Sequence, residues 1–455
     1  MHVPENEGKW SPQQTSAPLR EYQRAGVAFL TASDGALLAD EMGLGKTVQA
    51  ATAIRITLRQ FGDRALVVAP ASLLLNWERE LQRWAPELVV RTVSGNAKNR
   101  QAMYLLPIQV LITSYEHLRL DHVVLPSDLR FTLVLLDEAQ RIKNSGSSTA
   151  LACKLLQRDR SWALSGTPLE NSPADLVSIF AFVKPGLIGL GMPKDILTER
   201  LRPHVLRRRK ADVLSELPPI IVQDVHLELG QRQRQAYDDA WWEGEESLRD
   251  MQQPVSETHL LAVLTRLKQL CNRDEGSGES IKLEALTATI ESLGEKDDKL
   301  IVFSQFASTV RWLARELSSS IPTDILDGAT SARDRDLALR RFEKASGPRM
   351  IVISLRAGGV GLNLNSASAV ILFDRWWNPA LESQAIQRGH RFGRTRPLHV
   401  IRYLVRDTIE ERIASILEAK QHLFDSYVEG IQQNEVSRLN YQDLVRILGL
   451  TVNTV

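Results

Sequence analysis

Cysteine is nearly absent from this chain of 455 residues: Cys153 and Cys271 stand far apart, with no CxxC pair and no histidine cluster near either. That pattern offers neither a zinc site nor a redox pair, and buried thiols are the expectation. No stretch approaches the ~18 consecutive apolar residues that a membrane helix requires. Nothing is expected to span a bilayer. The first ten residues are polar, with Glu5, Glu7 and Lys9, and lack the basic-then-apolar order of a secretory signal. The protein is expected to stay where it is made. Net charge is also missing, since 56 basic and 55 acidic side chains leave +1, so any nucleic-acid site must be a local groove. Internal repeats and low-complexity tracts are not found.

What is present is a large potential core, 43% apolar residues, on a chain long enough for roughly three domains of about 150 residues. Short apolar runs alternate with helical stretches from Gly35 to about Val183: Ala36–Ala39, Ala65–Ala69, Gln109–Ile112 and Phe131–Leu136. Runs of this length fit parallel strands buried on both faces. The same texture returns at Lys299–Phe303, Met350–Ile353 and Ala369–Phe373. An α/β chain with two doubly wound parallel sheets follows. Between them, Leu197–Cys271 reads as a helical bridge, with leucines at 260, 261, 264, 267 and 270 in helical spacing. Gly276-Ser277-Gly278 reads as a flexible joint, and a short capped helix is expected after Asn440, closed by Gly449.

Two constellations at opposite ends of the chain point to phosphate chemistry. Asp40-Glu41-Met42-Gly43-Leu44-Gly45-Lys46-Thr47 follows a buried run and precedes a helix. Gly43 and Gly45 allow backbone N–H groups to converge on phosphate oxygens, Lys46 supplies charge to the outer phosphates, and the Thr47 hydroxyl can ligate Mg2+. The following helix aims its positive end at the same anion. Asp40 stands where the strict P-loop pattern has its first glycine. Asp137 and Glu138 close the run Leu133–Leu136, at the strand end where parallel sheets bind ligands. Asp137 there suits a magnesium shell and Glu138 the attacking water; the plain alternative is an acidic helix start. Ser165-Gly166-Thr167-Pro168 follows Trp162-Ala163-Leu164 and, alone, is an ordinary strand-to-helix turn.

Toward the far end, Arg356–Leu362 is a glycine-rich loop after a strand. Arg388 and Arg391 share one helix face by their spacing, although exposed helix arginines are commonly just solvated. A triphosphate site near one end and arginines near the other make sense if hydrolysis moves two lobes against each other. The chain therefore reads as a motor.

The ordered motifs strengthen that reading. Leu19–Gly26, Asp40–Thr47, Asp137–Asn144 and Leu164–Asn171 resemble the first-lobe motifs of Swi/Snf-type DNA translocases, helicase-like ATPases of superfamily two. Val302–Phe306, Leu355–Leu364, Asp374–Pro379 and Gln384–Arg396 resemble that family's second-lobe motifs in the right order. The resemblance implies two RecA-like lobes with a helical insertion: a lead-in over 1–18, lobe one with a helical extension over 19–255, lobe two over 256–430, and a helical tail over 431–455.

It also implies roles. Gln23 reads the adenine edge; Lys46 and Thr47 hold phosphates and Mg2+; Asp137 and Glu138 keep the acid roles above. Ser165 and Thr167 couple the ATP site to DNA, Gly361 lies in a loop touching nucleotide and DNA backbone, and Arg388 and Arg391 are arginine fingers. Trp376 and Trp377 belong to a segment facing DNA; the plain alternative for one of them is a packed aromatic pair beside Phe373. Arg207-Arg208-Arg209-Lys210 either contacts phosphates or braces the lobes.

Gln140 stands where many members have histidine, Gly389 where many have alanine, and Arg394 where many have glutamine. No histone-reading module, zinc set or nuclease-like acidic cluster is visible, which argues against nucleosomes as substrate. The implied activity is ATP- and Mg2+-dependent movement along double-stranded DNA, remodelling protein–DNA complexes, with protein partners possible on the DNA. Two other classes share parts of the pattern: a strand-separating DNA or RNA helicase, and an ATP-switched clamp without catalysis. The implied location is the cytoplasm at the nucleoid in a prokaryote, or the nucleus in a eukaryote, for either a compact family member or a motor core from a longer chain.

Overall fold

The computed structural model describes residues 18–62, 64–166, 173–214, 216–251, 255–292, 298–354, 364–376, 379–390, 394–428 and 441–448. The chain forms two compact units, Met1–Ser215 and Glu216–Val455. In the first, the strands are β1 (Gly35–Leu38), β2 (Ala65–Ala69), β3 (Val90–Thr92), β4 (Val110–Ser114), β5 (Arg130–Asp137), β6 (Gln157–Leu164) and β7 (Val205–Leu206). Its helices are α1 (Glu21–Ala32), α2 (Lys46–Phe61), α3 (Leu74–Trp84), α4 (Ala97–Leu105), α5 (Tyr115–Asp121), α6 (Ser148–Leu155), α7 (Pro173–Val183), α8 (Lys194–Leu201) and the single turn α9 (Lys210–Val213).

The strands pair in parallel in the order β3-β4-β2-β5-β6-β1-β7. Every residue of β1, β2 and β4 is buried, because a parallel strand with helices on both faces meets no water. The candidate site residues lie at the carboxyl ends of β1, β5 and β6.

The second unit contains β8 (Ile220–Leu227), β9 (Lys299–Ser304), β10 (Thr323–Leu326), β11 (Arg349–Ser354), β12 (Ala369–Leu372) and β13 (Leu398–Val405). They form a parallel sheet in the order β10-β11-β9-β12-β13-β8. Its helices are α10 (Gln231–Arg249), α11 (Glu257–Asn272), α12 (Ile281–Ser292), α13 (Ala307–Leu317), α14 (Ala332–Lys344), α15 (Pro379–Gly389), α16 (Ile409–Val428) and α17 (Tyr441–Ile447).

Side chains alternate between two cores. Ile301, Phe303, Ile351, Ile353, Val370 and Leu372 pack on one face, while Leu300, Val302, Met350, Val352, Ala369 and Ile371 pack on the other, as the period of two requires. Leu260, Leu264 and Leu267 of α11 enter a third core with α10, α16 and α17.

Three sequence-based expectations change. The stretch Leu197–Cys271 is not wholly helical, since it contains β7 and β8. The boundary expected at 255/256 placed β8 with the first unit; β8 pairs with β13 over its whole length and belongs to the second. Gly276-Ser277-Gly278 is held rather than loose: the Asp274 carboxylate accepts from the backbone of Gly276 and Ser277, each at 3.0 Å, and from the Ser277 hydroxyl at 2.5 Å. Both cysteines are free and buried, as expected. Among the described residues no helix is long and apolar enough to cross a membrane.

Candidate nucleotide site and the motifs of the second unit

The phosphate loop leaves β1 and enters α2 through two left-handed glycines, Gly43 (φ 91°) and Gly45 (φ 73°), a conformation in which a Cβ is strained. Gly45 is the N-cap of α2, so the helix opens on the loop with its unpaired N–H groups. A Cβ at Gly45 would also lie 2.8 Å from Gln23 Nε2. Gln23 is thereby placed against the loop, and its Oε1 accepts from the Arg20 backbone N–H at 3.0 Å, capping α1. Lys46 Nζ donates to the carbonyls of Asp40 at 2.6 Å and Glu41 at 3.4 Å. Its ammonium is thus held over the loop. Thr47 follows in the first turn of α2, half-buried.

Asp137 ends β5, and both of its carboxylate oxygens are engaged. Trp77 of α3 donates its indole N–H to Oδ2 at 2.7 Å, and the Glu138 backbone N–H donates to Oδ1 at 2.9 Å. Tyr115 donates its hydroxyl to the Asp137 carbonyl at 2.7 Å. Burial, then the neighbouring Glu138 charge, push the Asp137 carboxyl up to about 7. Glu138 itself is left-handed (φ 52°), a conformation that costs a non-glycine residue about 1–3 kcal/mol and clusters at functional sites. The turn aims its side chain along a polar relay: Gln140 Nε2 donates to Glu138 Oε2 at 2.6 Å, and Ser165 donates its hydroxyl to Gln140 Oε1 at 2.8 Å. Gln140 has both a donor and an acceptor on one amide, which is how it joins Glu138 to the loop after β6. Thr167 lies outside the described residues.

Trp77 was not found by sequence reasoning. A lone tryptophan on an amphipathic helix gives no sign of a partner 60 positions away. Trp77→Phe removes the donor together with part of a fully buried ring; the lost bond and the cavity together are expected to lower stability toward urea by about 1–3 kcal/mol. It should also raise the Asp137 carboxyl further, since that hydrogen bond helps to hold it down. An unchanged urea midpoint would show that the bond contributes nothing.

Arg208 was legible only as part of a basic run, and its partners in the structure all lie within the first unit. Residues 204–208 extend a backbone ladder beside β1 into the phosphate loop: Leu37 N–H donates to His204, Ala39 N–H to Leu206 and Glu41 N–H to Arg208. The Arg208 guanidinium donates from Nε to Asp40 Oδ1 at 2.9 Å and from Nη2 to Asp40 Oδ2 at 2.5 Å. Nη2 also donates to Gln49 Oε1 at 2.9 Å, and Nη1 donates to the Tyr22 carbonyl. Arg208 therefore braces elements within the first unit, with its charge committed to Asp40. This also accounts for an aspartate where the strict loop pattern has glycine: Asp40 has no positive φ, is fully buried, and serves as an anchor.

In the second unit, Asp374 follows β12 and ties two motifs together. Its Oδ2 accepts from Ser304 at 2.5 Å and Asn272 at 2.9 Å, and its Oδ1 accepts from the Gln305 backbone N–H at 2.9 Å. Lys268 of α11, fully buried, donates to Gln305 Oε1 at 2.7 Å and to the Arg375 carbonyl. Burial lowers its ammonium to about 8. Glu382 receives Arg375 Nε at 3.0 Å and the Trp376 backbone N–H at 2.6 Å.

Trp376 is part-buried against the core on one sheet face, whereas Phe373 lies in the opposite core with Trp312 and Tyr403 as its ring partners. The suggested pairing with Phe373 is thus not made by Trp376. Arg388 lies on α15 and is 4% exposed. Arg394 is structural, donating to the carbonyls of Asn365, Ala367, Gly389, Arg396 and Pro397. Gly361, Trp377 and Arg391 lie outside the described residues.

Residues 22–190, which carry the loop, the acidic turn and Ser165, match the model of the SNF2-related domain. Residues 281–393 match the helicase conserved C-terminal domain. Together these matches span more than half the chain and define a two-unit helicase-like protein. The chain belongs to the SNF2-related family. It is 35% identical to a Mycoplasma pneumoniae protein named an uncharacterized ATP-dependent helicase, over 94% of this chain and 44% of that one. It is 33% identical to a Bacillus subtilis putative ATP-dependent helicase/translocase, over 99% of this chain and 52% of that one. The chain thus spans about half the length of the curated relatives it matches. A solved Sulfolobus solfataricus SWI2/SNF2 ATPase core in complex with dsDNA is 29% identical, covering 97% of this chain and 99% of that one, with a TM-score of 0.46.

Proposed function

We propose that this chain is the motor of an ATP- and Mg2+-dependent translocase on double-stranded DNA. The observation that carries the reading is the relay at the ends of β5 and β6, in which Glu138, Gln140 and Ser165 form one hydrogen-bonded line. The line gives the acidic residue a partner that responds to movement of the loop after β6.

The residues divide the work as follows. Backbone N–H groups around Gly43 and Gly45, with the N-terminal end of α2, receive the phosphates. Lys46 exchanges its carbonyl partners for phosphate oxygens. Gln23, held against Gly45, reads the adenine edge. Thr47 and Asp137 are the residues that would hold Mg2+; their all-oxygen donors suit a hard cation, and a cation removes the penalty that burial and Glu138 place on the Asp137 carboxylate. When bound, the metal neutralises charge developing on the outer phosphate oxygens. Glu138 orients the attacking water in line with the γ-phosphoryl group and draws on its proton, while Gln140 fixes the carboxylate's other oxygen.

Ser165 and Thr167 link this site to DNA, and Gly361 joins nucleotide and backbone contacts in the second unit. Arg388 and Arg391 supply positive charge to the transition state. Trp376 and Trp377 are the aromatic residues that meet the DNA, Trp376 from the segment that Glu382 and Lys268 hold. Duplex DNA as the track and the absence of strand separation rest on the ordered motif set and family membership. Protein partners on the DNA fit the remodelling role.

The test is phosphate release with and without duplex DNA. Wild-type protein is expected to hydrolyse ATP and to be stimulated by the duplex, and Lys46→Ala to show no hydrolysis above background. Near-normal DNA-stimulated turnover in Lys46→Ala would remove the phosphate-loop assignment.

A further inference from the structure

We propose that Arg208 is the positioning residue that sets the base selectivity of the nucleotide site, by locking the adenine-reading end of α1 to the phosphate loop. The inference rests on the assignment of Gln23 as the adenine reader. Arg208 touches no part of the nucleotide in this scheme; it acts through Tyr22 and Asp40.

Base reading and phosphate binding sit on different pieces of chain, and their relative position must hold to a few tenths of an ångström for an amide to select a base edge. Gln23 comes from the first turn of α1, and the phosphate loop comes from the end of β1. One guanidinium bridges them: Nη1 holds the carbonyl of Tyr22, the residue before Gln23, while Nε and Nη2 hold both oxygens of Asp40, the first residue of the loop. The guanidinium also lies 5.4 Å from the centre of the Tyr22 ring.

Gln49 completes the bridge from α2. It receives Arg208 on Oε1 and donates from Nε2 to Asp40 Oδ2 at 3.2 Å and to the Leu44 carbonyl at 3.0 Å. The approach is so close that a Cβ on Gly26 of α1 would lie 1.8 Å from Gln49 Oε1 and 2.9 Å from Arg208 Nη2. Glycine at 26 is therefore a condition of the bridge. The planar fork of arginine meets these acceptors together; a lysine ammonium keeps the charge but not the fork. Arg208 reaches Asp40 from 168 positions downstream, so the geometry of the nucleotide site depends on a segment that follows the whole first sheet.

The experiment measures equilibrium binding of fluorescent ATP and GTP analogues to wild-type protein, Gln23→Ala, Arg208→Lys and Arg208→Gln. Folding of each variant is checked by thermal melting. Because Arg208→Gln leaves a buried carboxylate uncompensated, the double variant Asp40→Asn with Arg208→Gln is included, in which neither charge remains. Wild-type protein is expected to prefer the ATP analogue. Gln23→Ala, Arg208→Lys and the double variant should each lose ATP affinity by roughly 10- to 100-fold, with GTP affinity falling far less, so that the preference collapses. A merely structural role would lower both affinities together and leave their ratio unmoved; that result, in folded variants, overturns the proposal. If Gln23→Ala itself keeps the preference, the base-reader assignment fails and the proposal falls with it. If Gln23→Ala loses the preference while Arg208→Lys and the double variant keep it, Arg208 alone is misassigned.

Discussion

Glu138→Gln is expected to bind ATP as the wild-type protein does and to release phosphate about 10²–10⁴-fold more slowly, the range that a general base contributes. The substitution is nearly isosteric, and glutamine still offers an oxygen to Gln140 Nε2 at the position Glu138 Oε2 now occupies. The strained turn at residue 138 and the fold around it should therefore persist. What is lost is the negative charge that polarises water. Nucleotide binding by fluorescence and single-turnover phosphate release separate the two steps. Unimpaired release would remove the water-activating role from Glu138 and leave the left-handed turn as a structural feature only.

Arg388→Ala carries the other large expected effect. An arginine that stabilises the phosphoryl transition state is worth ~10³–10⁵ in turnover, so kcat should fall by that order while ATP affinity stays close to wild type. The side chain is nearly buried on α15, which makes a control for folding necessary; Arg388→Lys keeps a cation at the position and the melting temperature reports on the unit. Loss of binding in proportion to turnover, or a matching loss of stability, would mean that Arg388 supports the fold of the second unit and does not act on phosphate.

The parts of this molecule that were legible in the sequence share one physical property: they are local. Ala65–Ala69 is legible as a strand because a buried parallel strand is apolar throughout, and the phosphate loop because glycine, lysine and threonine have fixed offsets. Edge strands do not announce themselves this way. β8, at the edge of the second sheet, shows water its Ile221, Val222 and Gln223 and does not resemble a buried run. The joint expected at Gly276–Gly278 failed for a related reason, since composition indicates flexibility but not the Asp274 carboxylate that accepts from it.

Within the candidate site, the acidic pair and Gln140 were visible as residues, but the line from Glu138 through Gln140 to Ser165 is a product of the fold. The same holds for Trp77 on Asp137 and for Arg208 on Asp40. Each joins segments far apart in the chain, and a single sequence contains no term for such a pairing.

The central claim is that ATP hydrolysis moves this protein along duplex DNA without opening it. The most direct measurement is displacement of a triplex-forming third strand from duplex DNA, run beside a forked substrate, with Glu138→Gln as the inactive control. The expected result is ATP-dependent displacement of the third strand by wild-type protein and none by the variant, with the fork left paired. Unwinding of the fork without displacement of the third strand would contradict the claim and make the chain a strand-separating helicase.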